Sequence, residues 1–265
     1  MMRASILLAL ATCAMVAAPV YAGATPAAPA GDSAETGPDF EAAVSDPGRD
    51  QADIKLDDSR KPAEVLEFMG LESGDTVVDL FAGGGYYSEI MGRVVGPEGS
   101  VTAVNPPQFT TSEQSKAKWA GVAERQPNVK MVPSQLPDYK PAPDSIDFAM
   151  LHLIYHDFYW ESEEYKFEKM NPVAVLSNLF VGMKPGGIVA VIDHVGSPGD
   201  TRAVVEKTHR IDPTTVRSDF LKAGFVLDGE SDMFANPDDD LELNVFDPAV
   251  RGQTDRIVMR FRKPG

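Results

Sequence analysis

From about residue 53 onward, the spacing of apolar positions switches back and forth between a helical and a strand-like period. "PAEVLEFMGL" repeats apolar residues at helical spacing and is ended by Gly70 and Gly74. "TVVDLFA" is a short apolar run that leads into three glycines and a second helical stretch, "YYSEIMGRVVG". "GSVTAVN", "NVKMVPS", "SIDFAMLHLIY" and "GIVAVIDHV" read as further strands. The third is almost continuously apolar, as expected of a strand covered on both faces. "SEQSKAKWAGVAERQ" and "PVAVLSNLFVGMK" are the helices between them, the second stopped by "PGG". "DPTTVRSDFLKAGF" opens with an Asp cap and Pro213 at the first helical position, and Gly224 closes it. "FVLDGESDMF" and "DRIVMRFRK" end the chain as two strands.

This alternation predicts an α/β domain, a doubly wound and mainly parallel sheet with helices on both faces. In such sheets ligands bind beyond the carboxyl ends of the strands, near the point where strand order reverses. That rule selects Asp79 to Gly85, Asn105, the segment after Met150, and Asp193 with His194.

The first 50 residues have a different texture. Arg3, the apolar stretch "ASILLALATCAMVAAPV" and the small residues ending at Ala22 make residues 1–22 a signal peptide, and the expectation is an exported protein, periplasmic or secreted. The apolar stretch is too short for a stable membrane span, so none is expected after cleavage. Residues 23–50, rich in Ala, Pro, Gly and acid, read as a flexible linker, which leaves 51–265 as the folded domain. The single cysteine, Cys13, lies in the leader. The mature chain therefore has no disulfide, thiol nucleophile or thiolate metal site. With 40 Asp and Glu against 24 Lys and Arg, the net charge is −16. An acidic surface repels phosphate backbones and anionic lipid heads, so a small molecule is the expected partner and nucleic acid is not.

The glycines at 83, 84 and 85 let a backbone approach a ligand at a helix N-terminus. A dinucleotide fingerprint fails there, because its third glycine position is Ser88 and the expected ribose acid is Asn105. The run Asp79-Leu80-Phe81-Ala82-Gly83-Gly84-Gly85 instead resembles the first motif of class I S-adenosylmethionine-dependent methyltransferases, with Phe81 in place of its first glycine. "MKPGGIVAVID" is similar to the phrase that precedes the fifth strand in that superfamily. "IYHD", "VIDH", "EKTHRID" and "LNVFDPAVRGQTDR", with the leader, resemble a group of exported bacterial methyltransferases.

The resemblance implies a Rossmann-like, seven-stranded sheet and S-adenosylmethionine as cofactor. It also implies that Asp79, Gly83, Gly84 and Gly85 cradle the donor's methionine part. Asn105 takes the ribose position, and Ser134 or Gln135 the adenine position. Asn105 lacks the charge and the two acceptor oxygens of the usual acid.

His156 and His194 fall at strand ends and His209 lies in "HRID", just before the following helix, whereas His152 alternates with apolar residues inside a strand and reads as a satisfied core histidine. Histidine suits removal of a proton from a methyl acceptor. The candidate base is His156 or His194, oriented by Asp157 or Asp193. A metal site built from His156, Asp157, Asp193, His194 and His209 is the alternative, although no tight ligand spacing supports it. A third reading keeps the fold with an eroded donor site that binds another ligand. Tyr155, Phe158, Tyr159, Trp160 and Tyr165 read either as the wall or lid of a substrate pocket or as part of a half-buried connecting helix with a solvated acidic face; the pocket is the expectation for Tyr155 and the solvated face for the acids. Arg251 or Arg256 is placed either to clamp a carboxylate or to hold its loop by ion pairs.

Overall fold

The computed structural model describes residues 37–265. The proposed signal peptide and the first part of the proposed linker lie outside these residues. Seven strands form one sheet: β1 Thr76–Leu80, β2 Ser100–Asn105, β3 Val129–Pro133, β4 Ile146–His152, β5 Met183–His194, β6 Val226–Glu230 and β7 Arg256–Arg262. Their order is β3-β2-β1-β4-β5-β7-β6, and only β7 runs antiparallel to its neighbours. Strand order reverses between β1 and β4, which pair in parallel with Asp79 opposite Met150.

Successive residues on the central strands feed two separate cores, because side chains alternate across a pleated sheet. Val78, Ala149, Leu151, Val189 and Val191 enter one core, on the face of helices α7 (Pro172–Gly182) and α9 (Pro213–Ala223). Val77, Phe148, Met150, Ala190 and Ile192 enter the other, under α4 (Pro62–Met69) and α5 (Tyr86–Val95). Burial on both faces explains why these strands read as unbroken apolar runs. Helix α9 starts and stops where the sequence predicts: Asp212 accepts from the Thr214 N–H, Pro213 opens the helix, and Gly224 caps it at φ 104°.

The described part of the expected linker, residues 37–50, is not all extended chain. Helix α1 (Phe40–Ser45) buries Ala43, and α2 (Gln51–Ile54) and α3 (Asp57–Arg60) follow. Arg49, almost wholly buried, grips Asp57 with two hydrogen bonds of 2.7 and 2.9 Å. Lys118 of α6 (Glu113–Arg125) reaches back to Asp50 and Asp53 at 2.8 and 2.7 Å. The acids that made this stretch look unfoldable are its anchors. Helix α8 (Thr201–Thr208), capped by Asp200, was also not anticipated. No helix among the described residues is long and apolar enough to cross a membrane.

Candidate active site

Two features leave the same edge of the sheet: the glycine loop after β1 and a histidine cluster after β4 and β5. In the loop, Gly83 and Gly85 take φ of 58° and 87°, which a side chain would resist. Asp79 does not face the loop's mouth as expected. Its buried carboxylate accepts the Ser88 hydroxyl at 2.6 Å and so fastens the start of α5. Burial, opposed by these Ser88 contacts, pushes its pKa up to about 7.

Asn105 is also committed to the protein. Its Oδ1 accepts the Gly83 N–H at 2.9 Å, and its Nδ2 donates to the Gly83 carbonyl at 3.1 Å. Trp119 Nε1 donates to the same carbonyl at 3.1 Å. A Cβ built on Gly85 would lie 3.0 Å from the Trp119 ring, so packing against that ring alone already requires a glycine there. Gly83 and Gly84 differ. A Cβ on Gly83 meets nothing within 4 Å, and one on Gly84 meets only the Lys118 stem, at 3.6 Å. The mouth of the loop is open, and the Gly84 N–H has no acceptor among the described residues.

Beside this mouth, Phe81 lies 5.3 Å from Phe109 and stacks on Phe167 at 5.8 Å. Phe167, Pro106, Gln135 and Leu136 line a cavity of about 300 Å³. Ser134 does not line it and turns its hydroxyl to the Gln135 carbonyl at 3.0 Å. A free glycine amide, an aromatic wall and an adjoining cavity fit an adenosyl donor. The position expected to carry the ribose acid holds Asn105, whose side chain is spent on Gly83.

The histidine cluster is organised by Asp193, which is fully buried at the end of β5. Its Oδ1 lies 2.8 Å from His156 Nδ1 and accepts the His194 N–H at 2.8 Å, while its Oδ2 accepts the His156 N–H at 2.7 Å. His156 Nε2 then faces Asp157 Oδ1 at 3.4 Å, and His209 Nδ1 is 3.8 Å from that same oxygen. His194 Nδ1 meets the Thr254 hydroxyl at 2.7 Å, and its Nε2 has no partner among the described residues. Thr254 carried no signal in the sequence.

The two candidate bases are in opposite states. Burial pulls the His156 pKa down, but Asp193 and Asp157 outweigh burial and push it up to about 9. Burial and the neighbouring His156 hold His194 well below the ordinary histidine value. At neutral pH His156 is an imidazolium, and His194 is the ring able to accept a proton.

Other expectations fail for reasons of packing. Tyr155 is no pocket residue: it is fully buried and donates to Asp219 at 3.0 Å. Tyr159 donates to the same carboxylate. His152 packs against Tyr87 at a ring separation of 4.6 Å and a tilt of 54°, and its buried Nε2 has no hydrogen-bond partner among the described residues, so it is not a satisfied core histidine. Arg256 spends its guanidinium on the carbonyls of Ser59, Thr254 and Gly252, which makes it a loop anchor. Arg251 is exposed. Arg210, next to His209, is wholly buried and grips Asp239 at 2.6 and 3.0 Å, an anchor the sequence did not single out.

Comparison with known proteins agrees with the topology. A SAM-dependent methyltransferase from Aquifex aeolicus superposes with a TM-score of 0.55 at 21% identity, covering 80% of this chain and 97% of that one. The chain has the class I methyltransferase fold. The 1,6-didemethyltoxoflavin-N1-methyltransferase of Burkholderia thailandensis, solved with its substrate and S-adenosylhomocysteine, matches at a TM-score of 0.50 and 15% identity. That match covers 79% of this chain and 78% of the other. The [4+2]-cyclase SpnF matches at 0.56 and 15%, over 78% of this chain and 81% of its own. A fold that also includes a protein named as a cyclase does not decide the reaction. No family model and no curated protein matches the sequence.

Proposed function

We propose that this protein is an S-adenosylmethionine-dependent methyltransferase of a small molecule, with Gly83 and Gly84 at the donor cradle and His194 as the acceptor's base. One observation carries the reading. Strand β4 lies between β1 and β5 and all three run parallel, so an open glycine loop and a proton-accepting histidine leave the same edge of the sheet, on either side of β4.

When bound, S-adenosylmethionine supplies a methyl group activated on a sulfonium. The unpaired Gly84 amide and the aromatic wall around Phe81 would hold it, and Gln135 and Leu136 border the cavity next to that wall. Thr254 fixes the His194 ring so that Nε2 can take the acceptor's proton. Asp193 holds the His156 imidazolium beside it, a positive charge that favours an anionic acceptor oxygen. Export, assigned to residues 1–22, sets the demand on the cradle, because occupancy follows local donor concentration relative to affinity.

Calorimetric titration of the purified protein with S-adenosylmethionine and S-adenosylhomocysteine tests the proposal. Micromolar binding of either supports it. Folded protein that gives no heat at millimolar ligand refutes the donor assignment and leaves a methyltransferase fold put to another use.

A further inference from the structure

We infer that His156, Asp157 and His209 form a binding site for a divalent transition metal that prefers nitrogen and oxygen ligands, as zinc does. One ligand atom from each residue lies within 4.8 Å of the other two. The separations about Asp157 Oδ1 are 3.4 Å to His156 Nε2 and 3.8 Å to His209 Nδ1. Two ligands each about 2.1 Å from a tetrahedral ion stand about 3.4 Å apart, so the side chains already have nearly the spacing such an ion requires.

A plain hydrogen-bonded cluster would look different. Among the described residues, His156 Nε2, the Asp157 carboxylate and the His209 ring make no hydrogen bond, to each other or to any neighbour. They face one another without closing. Behind them, the buried Asp193 oxygen holds His156 Nδ1 at 2.8 Å. A carboxylate behind the far nitrogen of a ligating histidine fixes its tautomer and aims the other nitrogen at the ion. Trp160 and Phe246 flank the His209 ring, each at 5.3 Å, and restrict its movement.

Three protein ligands leave a fourth position open, the arrangement of a catalytic ion and not of a structural one. The His194 ring is 5.9 Å from that of His156, close enough to serve a molecule bound at the open position. Only this role rests on the function proposed above: the ion displaces the Nε2 proton of His156 and takes the place of the imidazolium's positive charge, an acceptor oxygen on the ion becomes more acidic, and His194 takes its proton. The site itself stands on its geometry alone and shares no residue with the glycine loop.

The test uses the purified protein, stripped by a chelator and titrated with zinc chloride alone. The expected result is one equivalent bound at submicromolar Kd. His209→Ala and Asp157→Ala each weaken it by about 100-fold or more, and Asp193→Asn by about 10- to 100-fold. Circular dichroism of the metal-free variants checks that they fold. Cobalt loading of the unmutated protein is the second readout, with strong visible bands expected from a four-coordinate nitrogen and oxygen site. The inference is overturned by folded protein that gives no heat at millimolar zinc. It is equally overturned by zinc binding unchanged in His209→Ala, or by a weak six-coordinate cobalt spectrum, which places the ion among surface carboxylates. Because no donor or acceptor is present, failure of the methyltransferase reading leaves these outcomes unaffected.

Discussion

Replacing Asp239 with alanine should be among the most damaging single changes in the molecule, and the damage should reach the active site. The Arg210 and Asp239 side chains are 0% and 1% exposed and pair through two hydrogen bonds of 2.6 and 3.0 Å. Arg210 also donates to the carbonyls of Leu243 and Val195 at 3.0 and 3.2 Å. Removing the carboxylate strands a buried guanidinium, which costs about 3–5 kcal/mol. The same carboxylate accepts the Asp255 N–H at 2.7 Å, and orphaning that donor costs about 1–3 kcal/mol more. The two losses share an atom and are not additive, so the expected total is roughly 4–6 kcal/mol. Arg210 adjoins His209 and Asp255 adjoins Thr254, so loosening this pair should displace both a residue of the proposed metal site and the partner of His194. Urea denaturation near neutral pH measures the stability loss. The double variant Arg210→Met/Asp239→Leu should recover most of it, because a hydrophobic pair of similar size avoids burying charge. A loss below about 1.5 kcal/mol in Asp239→Ala would mean that the pair is solvated or that the loop relaxes freely, and the reasoning would be wrong.

Four further outcomes are expected. Gly84→Val should leave stability within about 1 kcal/mol, since its Cβ meets only the Lys118 stem, yet weaken donor binding at least ten-fold in calorimetry. Gly85→Ala should instead destabilise by about 1–3 kcal/mol, through its φ of 87° and the Trp119 ring, which thermal melting would detect. The Asp79 carboxyl, raised from 3.8 to about 7, binds its proton more tightly in the folded state, so it costs stability as pH rises from about 4 to 7. Asp79→Asn should therefore gain on the unmutated protein by up to roughly 4 kcal/mol between pH 4 and 8, and a pH-independent difference in urea titrations would sink the assignment. Once an acceptor is known, His194→Ala should lower kcat about 100-fold and spare donor affinity, and an unchanged kcat would remove His194 as the base.

The sheet was legible because its central strands are buried on both faces, which forces continuous apolar runs such as "SIDFAMLHLIY". Helix α9 was legible because Asp212, Pro213 and Gly224 act within the helix they bound. The glycine loop could be located but not assigned residue by residue. Whether Gly85 packs on Trp119, and whether Asn105 is free or bound to Gly83, depends on contacts made far along the chain. Helices α1 to α3 were missed because long-range ion pairs such as Lys118 with Asp50 and Asp53 secure them, not a local apolar pattern. Tyr155 was misplaced for the same reason, since its hydroxyl partner Asp219 lies 64 residues downstream. His156 and His194 look alike in sequence. Only burial against carboxylates in one case, and against a cation in the other, separates a held imidazolium from a neutral base.

Asp193 accounts for why the two halves of the edge can be judged separately. Its carboxylate accepts the His156 ring, the His156 backbone and the His194 backbone, and so joins the loop after β4 to the end of β5. The glycine loop is fastened by a different set: Asp79 on Ser88, and Asn105 with Trp119 on Gly83. No hydrogen bond among the described residues runs directly from one set to the other. Each set is braced by buried groups at lengths of 2.6–3.1 Å, so each holds its geometry without help from a ligand in its neighbour. A donor site and an acceptor site built this way can lose or change function independently. Donor titration and metal titration therefore report on separate properties of the protein, and a positive result in one does not predict the other.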